Sequence, residues 1–484
     1  MHPPPAPGDS AEGDASGRSL PPPLTATTAP GEGLRMAISA TSPTPVSRGP
    51  LSFNQEFLCM FDQGNGAGPF GPRYTLADGW RLRGDLDIGA LRAALTDLVD
   101  RHEALRTSLV RGDRDRSQAV QPTSPPELEV RDLAGAADRD RAAQELINDV
   151  EAGTHAIGDL PLLRAVLGRF DGADAALVVN THHTATDGWS MQLIIRDLAE
   201  LYAARREGRP PRLPEAPSYV EFAEWERENL TGDAVAASRE HWEKTLPGAE
   251  ILALPADRPR PEGEEMVAAV ERFVLDGPVA AAALDYAKAM RCSPFMVLLA
   301  AYNTALLRMT GVTDLVVPTI TSNRRQPRFQ ETVGSFFNFV PLRTDLGDCA
   351  TFRDVTVRTR ATCLDTYAND VPFEYIATPE LMRQFADPDR AVFGFQVAQF
   401  PPTLDGAAHA GVRIERIRRT LRQDISSHIP DGALWDLEVE PDGTVLGSLK
   451  YNSRVFDAAT ITATVRRFTE ALRSGVADPD APLE

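Results

Sequence analysis

Residues 181–190 read THHTATDGWS, two adjacent histidines followed, four residues after the second, by an aspartate, a glycine and a tryptophan. The stretch follows two apolar runs, RAVLGRF (164–170) and AALVVNT (175–181), separated by the turn residues DGAD (171–174), a pattern that predicts a β-hairpin ending at the histidines. After it, Ile194, Leu198 and Leu201 fall on one helical stripe, and Gly208 predicts the stop. The stretch therefore joins a strand to a helix. A histidine at such a strand end, projecting into a cleft, can serve as a general base near neutral pH. Gly188 lets backbone approach a substrate, and the first peptide N–H groups of the helix suit a developing oxyanion. Asp187 is equally an ordinary N-cap, and a lone histidine is more often structural than catalytic. Neighbouring histidines on a strand point to opposite faces, and no HExxH pattern or third ligand lies nearby, which disfavours a metal site. The GxSxG elbow of a serine hydrolase is missing. Spacing alone leaves catalytic loop and structural turn both open.

The rest of the chain narrows the field. Its 484 residues, 42% hydrophobic and 25% charged, are long enough for two or more domains with a large core. A net charge of −19 and a pI near 5.0 argue against a nucleic-acid partner. Cys59, Cys292, Cys349 and Cys363 are widely spaced, which reads as free thiols in a reducing compartment. Neither a secretory leader nor a run of about eighteen apolar residues is visible, so the expectation is a cytoplasmic protein with no membrane partner.

Residues 1–49 are rich in Pro, Gly, Ala, Ser and Thr and predict a disordered segment, with the folded body starting near Pro50. Beyond it, helical and strand patterns alternate in a mixed α/β style. Asp87 is set to cap an amphipathic helix carrying Leu91, Leu95 and Leu98. RPPRLPEAP (209–217) reads as a linker segment. Ser293-Pro294 opens a helix that stops at Gly311, while DLVVPT (314–319) and GFQVAQF (394–400) read as strands. The expected division is an N-terminal unit over 50–217 and a C-terminal unit over 218–484.

Several of these stretches together carry a resemblance. THHTATDGWS fits the HHxxxDG signature of the condensation domains of nonribosomal peptide synthesis, with His182, His183, Asp187 and Gly188 in the matching places. GPLSFNQEF (49–57) is similar to that family's first motif, with Asn54 where Ala is usual and no following Trp. RHEALRT (101–107) matches the second, SYVEFAEW (218–225) the fourth, VGSFFNFVPLRTD (333–345) the fifth and NDVPFE (369–374) the sixth. DPDRAVFGFQVAQF (387–400) fits the seventh loosely, and YNSRVFDAATI (451–461) looks like the C-terminal strand and helix start. LSFNQEFLCMFD, GPRY (71–74) and RHEALRTSLVR further resemble the stand-alone condensation enzymes of enediyne antibiotic biosynthesis, which join a carrier-bound β-amino acyl group to an alcohol.

The resemblance implies two lobes, each like chloramphenicol acetyltransferase, in a V-shaped pseudo-dimer with a central tunnel. It implies an acyltransferase acting in trans, taking its acyl group from the phosphopantetheine arm of a peptidyl carrier protein, with no bound cofactor, and passing it to a small-molecule alcohol or amine. His183 is expected to face the nucleophile, with Gly188 N–H as oxyanion donor and His182 packed beneath the loop. Asp187 is expected to pair with Arg101 or Arg106, with Arg343 behind them. Trp189, Ser335 and Asn338 are candidate tunnel-lining residues. The basic run RIERIRRTLR, through Arg413, Arg416, Arg418, Arg419 and Arg422, is a candidate docking site for an acidic carrier or else a solvated basic face. Two alternatives stand beside it: an acyl-CoA:alcohol acyltransferase of the wax-ester or acylglycerol type, which shares the central signature, and a non-catalytic recruitment module, whose motif is usually degraded. The first has no reason to carry RHEALRT, SYVEFAEW and NDVPFE together, and an intact HHxxxDG motif argues against the second.

Overall fold

The hairpin centred on DGAD forms, with Leu163–Arg169 antiparallel to Asp174–His182 in the register Leu163↔Thr181. This is a computed structural model; it describes residues 44–484 except 113, 261–265, 387–390, 401–403, 405, 430–431 and 484. Most of the segment expected to be disordered (1–43), and the DPDR half of the seventh motif (387–390), thus lie outside the described residues. Ser47–Gly49 is an edge strand paired with Arg116–Val120, so order begins before Pro50.

The hairpin sits inside a six-stranded mixed sheet. Its order is Ala407–His409, Val412–Arg416, Thr75–Arg83, Asp174–His182, Leu163–Arg169, Leu128–Asp132, with only the last pair parallel. On one face lie the helices Ile88–Arg101, capped by Asp87, and Gly188–Glu207, ended by left-handed Gly208. Leu91, Leu95, Leu98, Ile194, Leu198 and Leu201 are all buried in that layer. On the other face the helix Arg139–Ala152 packs Ile147 and Val150 against Val166 and Val178. Burial of each such Leu or Ile contributes on the order of 1.5–3 kcal/mol, and this holds the strand that carries the histidines.

The second half has its own mixed sheet, in the order Ala253–Leu254, Ala391–Ala398, Ala433–Val439, Val445–Asn452, Ala268–Val274. Tyr302, on the helix Pro294–Thr310, stacks on Phe395, and Trp435 packs against Phe468, all buried. Ser293 caps that helix and left-handed Gly311 ends it, as expected from the sequence.

Two excursions tie the halves together. Strands Asp314–Thr321 and Asn338–Asp345 pair with each other, and the connection between them, 322–337, reaches back to the first half. Its Phe329 and Phe336 pack with Tyr219 and Phe222 of the helix Tyr219–Asn229. The second excursion, 399–432, supplies Val412–Arg416 to the first sheet, with Ile414 opposite Leu82. Sheet pairing therefore crosses the division expected at 217–218, because a stretch far down the chain completes the N-terminal sheet.

Candidate active site

The strand Asp174–His182 places the histidines beside Thr75, the residue paired with His182. Their side chains diverge, as strand alternation requires. His182 is fully buried; its Nε2–H donates to Gly71 O at 3.2 Å and its Nδ1 accepts from Thr184 Oγ1 at 2.8 Å. Burial pushes its pKa down to about 3, so it is a neutral structural residue beneath the loop.

His183 is only partly buried and stacks on Tyr74, centroids 4.8 Å apart, with Phe337 on another side at 5.3 Å. Its Nδ1 lies 2.7 Å from Thr186 O. A carbonyl only accepts, so Nδ1 carries the proton and Nε2 keeps its lone pair. Among the described residues nothing hydrogen-bonds to Nε2. Desolvation lowers the pKa, with Lys450 adding to the effect and the Thr186 bond opposing it, so the ring is neutral at pH 7. A neutral imidazole of fixed tautomer, with an unoccupied basic nitrogen, is what a general base needs.

Asp187 holds the loop. Its Oδ1 accepts from Ser190 N at 2.7 Å, the N-cap of the helix Gly188–Glu207. Both carboxylate oxygens also accept from Arg324, at 3.0 and 3.2 Å, and Oδ2 accepts from Phe336 N at 3.3 Å. N-cap and ion pair therefore coexist. Gly188 is exposed, and a Cβ there would meet the Phe400 ring at 2.8 Å. With Ser190 N bonded to Asp187 Oδ1 and Met191 N to Asp187 O, Gly188 and Trp189 N–H find no acceptor among the described residues.

The arginine is a correction to the sequence reading. Arg324, from TSNRR (321–325), has a 2% exposed side chain and donates to Phe329 O, Thr332 O, Ser190 Oγ and Asp187 while lying 3.8 Å over the Phe336 ring. Arg101 instead pairs with Asp197 of the helix Gly188–Glu207, 2.8 Å away, beside His102 at 2.9 Å. Arg106 donates to the Val99, Asp100 and Gln121 carbonyls, and Arg343 pairs with Asp314 across its hairpin. RHEALRT thus clamps helix to helix; the clamped acid is Asp197, ten residues past the expected one.

The three tunnel candidates each make hydrogen bonds of their own. Ser335 is fully buried, its carbonyl accepting from Tyr219 OH. Asn338 is a buried latch: its Nδ2 donates to Asp370 Oδ1 and Val371 O, and its Oδ1 accepts from Phe373 N. Trp189 is half-buried, its Nε1 donating to Gln330 O. Asn54, the departure from the first motif, donates to Phe337 O at 2.6 Å and so steadies the ring against His183. Tyr74, Thr186, Arg324 and Phe337 are the site residues that sequence reading missed. Tyr74, Thr186 and Phe337 lay in quoted strings (GPRY, THHTATDGWS and VGSFFNFVPLRTD) without being singled out; only Arg324 lay outside them.

The basic run is not an open cationic patch. Arg413 pairs with Glu415, Arg416 with Asp78 and Glu438, Arg418 with Glu440 and Asp442, Arg419 with Glu151, and Arg422 with Glu271. The charges of these five arginines are thus compensated within the chain, and Arg416 and Arg419 bridge the two halves. The four cysteines are free thiols, Cys59 and Cys363 buried and the other two partly so. No helix of the described residues is long and apolar enough to cross a membrane.

Two mixed α/β halves meet at an imidazole of fixed tautomer, a geometry compatible with acyl transfer. The family model of the condensation domain matches residues 50–484, and the chain belongs to that family. A linear gramicidin synthase of Brevibacillus parabrevis is 32% identical over 448 residues, 90% of this chain but 8% of that protein. Phosphinothricin tripeptide synthetase PhsC of Streptomyces viridochromogenes is 31% identical over 439 residues, 89% of this chain and 39% of that one. The chain therefore spans only a minor part of these curated relatives. The SgcC5 protein of Streptomyces globisporus, solved with (R)-(−)-1-(2-naphthyl)-1,2-ethanediol and sucrose, is 46% identical with a TM-score of 0.86, covering 90% of this chain and 100% of that one. The X-domain from teicoplanin biosynthesis is 26% identical with a TM-score of 0.74, covering 92% and 98%.

Proposed function

We propose that this chain is a condensation enzyme that transfers an acyl or aminoacyl group from a carrier-protein phosphopantetheine thioester to an alcohol or amine, in natural-product biosynthesis of the enediyne type. The observation that carries the reading is the tautomer of His183: Nδ1–H fixed on Thr186 O, Nε2 free. The acceptor O–H or N–H donates its proton to Nε2 as its lone pair attacks the thioester carbonyl, and the carbon–sulfur bond then breaks with the thiol regaining a proton. Gly188 N–H at the helix start is the oxyanion donor. Base assistance matters most for a hydroxyl, a poor nucleophile until its proton is being removed. The vicinal diol held by SgcC5 supports an alcohol as acceptor and hence an ester product.

The test is transfer from an acyl-loaded carrier protein to candidate diols and amines, with the parent and His183→Ala. The variant is expected to lose roughly 10²-fold or more of kcat. Near-parental product formation by a folded variant overturns the assignment. A recruitment role is the second reading, favoured by likeness to the X-domain, which also has a solved complex with OxyB. Absence of acyl transfer from any loaded carrier, with a protein partner bound instead, would select it.

A further inference from the structure

Gly188 has the backbone of a helix start and not the left-handed one that favours glycine, so conformation does not explain it. What requires it is space. A Cβ at 188 would stand 2.8 Å from Cζ of Phe400, with Cε1 at 3.4 Å and Cε2 at 3.9 Å, so the ring presents its tip to the place of a side chain. Phe400 lies just beyond the strand Ala391–Ala398 of the second half, and Gly188 opens a helix of the first. The last ring of GFQVAQF thus reaches across to the HHxxxDG loop.

The ring and the amides of the helix start share one end of the helix. Cα–Cβ bonds tilt toward a helix N-terminus, and the first N–H groups point the same way. A Cβ stands about 2.5 Å from its own nitrogen, which puts the ring tip no more than about 5 Å from Gly188 N. An oxygen accepting from that N–H, at about 2.9 Å, lies beside the ring, and a group attached next to it on that side meets the ring's edge. Gly188 is exposed and Phe400 only half-buried, so the ring bounds this space without filling it. The rings that pack on His183 among the described residues are others, Tyr74 and Phe337.

We propose that Phe400 is a specificity-determining residue of the acyl site: its ring bounds the space beside the reacting carbonyl and selects acyl groups unbranched at the adjoining carbon, and position 188 is glycine so that the ring can stand there. The inference rests on the acyl-transfer reading above. The donor is the substrate concerned because the acceptor must reach Nε2 of His183, beside Tyr74 and Phe337. Phe400 instead flanks the amide that receives the donor's carbonyl oxygen. A methyl branch next to that carbonyl adds bulk where the ring already stands, and an overfilled site costs binding.

Binding can be measured without turnover, using non-hydrolysable pantetheine amides in isomeric pairs: butyryl against isobutyryl, and 3-methylbutyryl against pivaloyl. Isomers bury nearly the same apolar area, so their ratio reports shape and does not follow overall stability. In the parent protein the unbranched member of each pair is expected to bind roughly tenfold tighter. Phe400→Ala should bring each pair to within about threefold, chiefly by improving the branched member. Gly188→Ala approaches the same contact from the other side and leaves the ring itself unchanged. It should weaken the unbranched ligands roughly tenfold, and Phe400→Ala added to it should recover most of that loss. Equal affinities in the parent, or no measurable binding of any of the four, overturn the proposal. So does a preference that survives Phe400→Ala, or a Gly188→Ala defect that the second substitution leaves in place. The acyl-transfer reading fails separately: if His183→Ala leaves carrier-dependent turnover unchanged while the isomer preference holds, the wall stands and the base does not.

Discussion

Glu226 is fully buried in the helix Tyr219–Asn229, and its two oxygens accept from Phe53 N at 3.1 Å and Asn323 Nδ2 at 2.9 Å. Asn323 is left-handed at φ 48° and immediately precedes Arg324. The carboxyl thus pins the residue that aims the arginine at Asp187. Burial raises its pKa from 4.5 to about 7, against the opposing effect of its two donors and Arg227. The sign follows from linkage. Between those values the unfolded chain releases the proton while the folded protein keeps it, so stability falls as pH rises through this window and is level below it and above it. At 1.36 kcal/mol per pH unit the whole window is worth about 3 kcal/mol, of which about 2 kcal/mol falls between pH 5.5 and 8, clear of the pI near 5.0.

Glu226→Gln removes the titration. One of its two hydrogen bonds becomes donor against donor, a pH-independent cost of about 1–3 kcal/mol. The observable is the difference between variant and parent in thermal or urea melting, followed across pH. The variant should start less stable at pH 5.5 and gain about 2 kcal/mol on the parent by pH 8, roughly 2 °C in Tm for a body of this size. Parallel curves for the two proteins over that range refute the argument, because they would mean that Glu226 ionises in the folded protein as freely as in the unfolded one.

Arg324→Ala leaves the buried Asp187 carboxylate and two carbonyls without their donor; we expect a loss of about 3–5 kcal/mol in denaturant melts together with acyl transfer. Arg324→Lys should not restore it, since an ammonium cannot span the same acceptors. The pH profile of kcat should hold its plateau below the usual imidazole value of about 6.5, because burial lowers the His183 pKa and the base stays deprotonated; a fall centred above that value contradicts the assignment. Asn54→Ala should lower kcat several-fold with little change in the affinity for loaded carrier, by freeing the Phe337 backbone that steadies His183; an unchanged kcat would show that the ring needs no such support. Arg419→Glu should destabilise the fold by about 3 kcal/mol or more, by setting two carboxylates against each other at buried Glu151, and a variant with parental Tm but weaker carrier binding would restore the docking role.

What the sequence disclosed was whatever a short window determines. DGAD between apolar runs, Asp87 and Ser293-Pro294 at helix starts, and Gly208 and Gly311 at helix ends each act through neighbouring backbone, and each stands where local chemistry put it. Long-range pairing was not disclosed. Asp187 and Arg324 are 137 residues apart, and nothing in TSNRR distinguishes its arginines from the rest of the chain's 50 Lys and Arg. Arg101 was expected to pair with Asp187 and pairs with Asp197 instead; a helix places the two acids some 15 Å apart, and sequence cannot say which of them faces the clamp. The pairing of the basic run was hidden for the same reason, since its acidic partners are scattered between residues 78 and 442.

The co-occurrence of the motifs has a physical cause that their spacing hides. Ser52 of the first motif donates to Tyr219 OH of the fourth, which donates to Ser335 O of the fifth. Ser190, just past the third, exchanges hydrogen bonds with Gly334 and accepts from Arg324, while Asp187 accepts from Phe336 N. Asn338 then ties the fifth motif to the sixth through Asp370, Val371 and Phe373. Five segments, drawn from both halves, thus converge on one buried network around Asp187, and each donor satisfied there is one that burial would otherwise penalise by about 1–3 kcal/mol. Such a network tolerates few single exchanges, because removing one member strands its partner. A loop held from so many directions keeps the Thr186 carbonyl in place, and with it the proton on Nδ1 and the lone pair on Nε2 of His183.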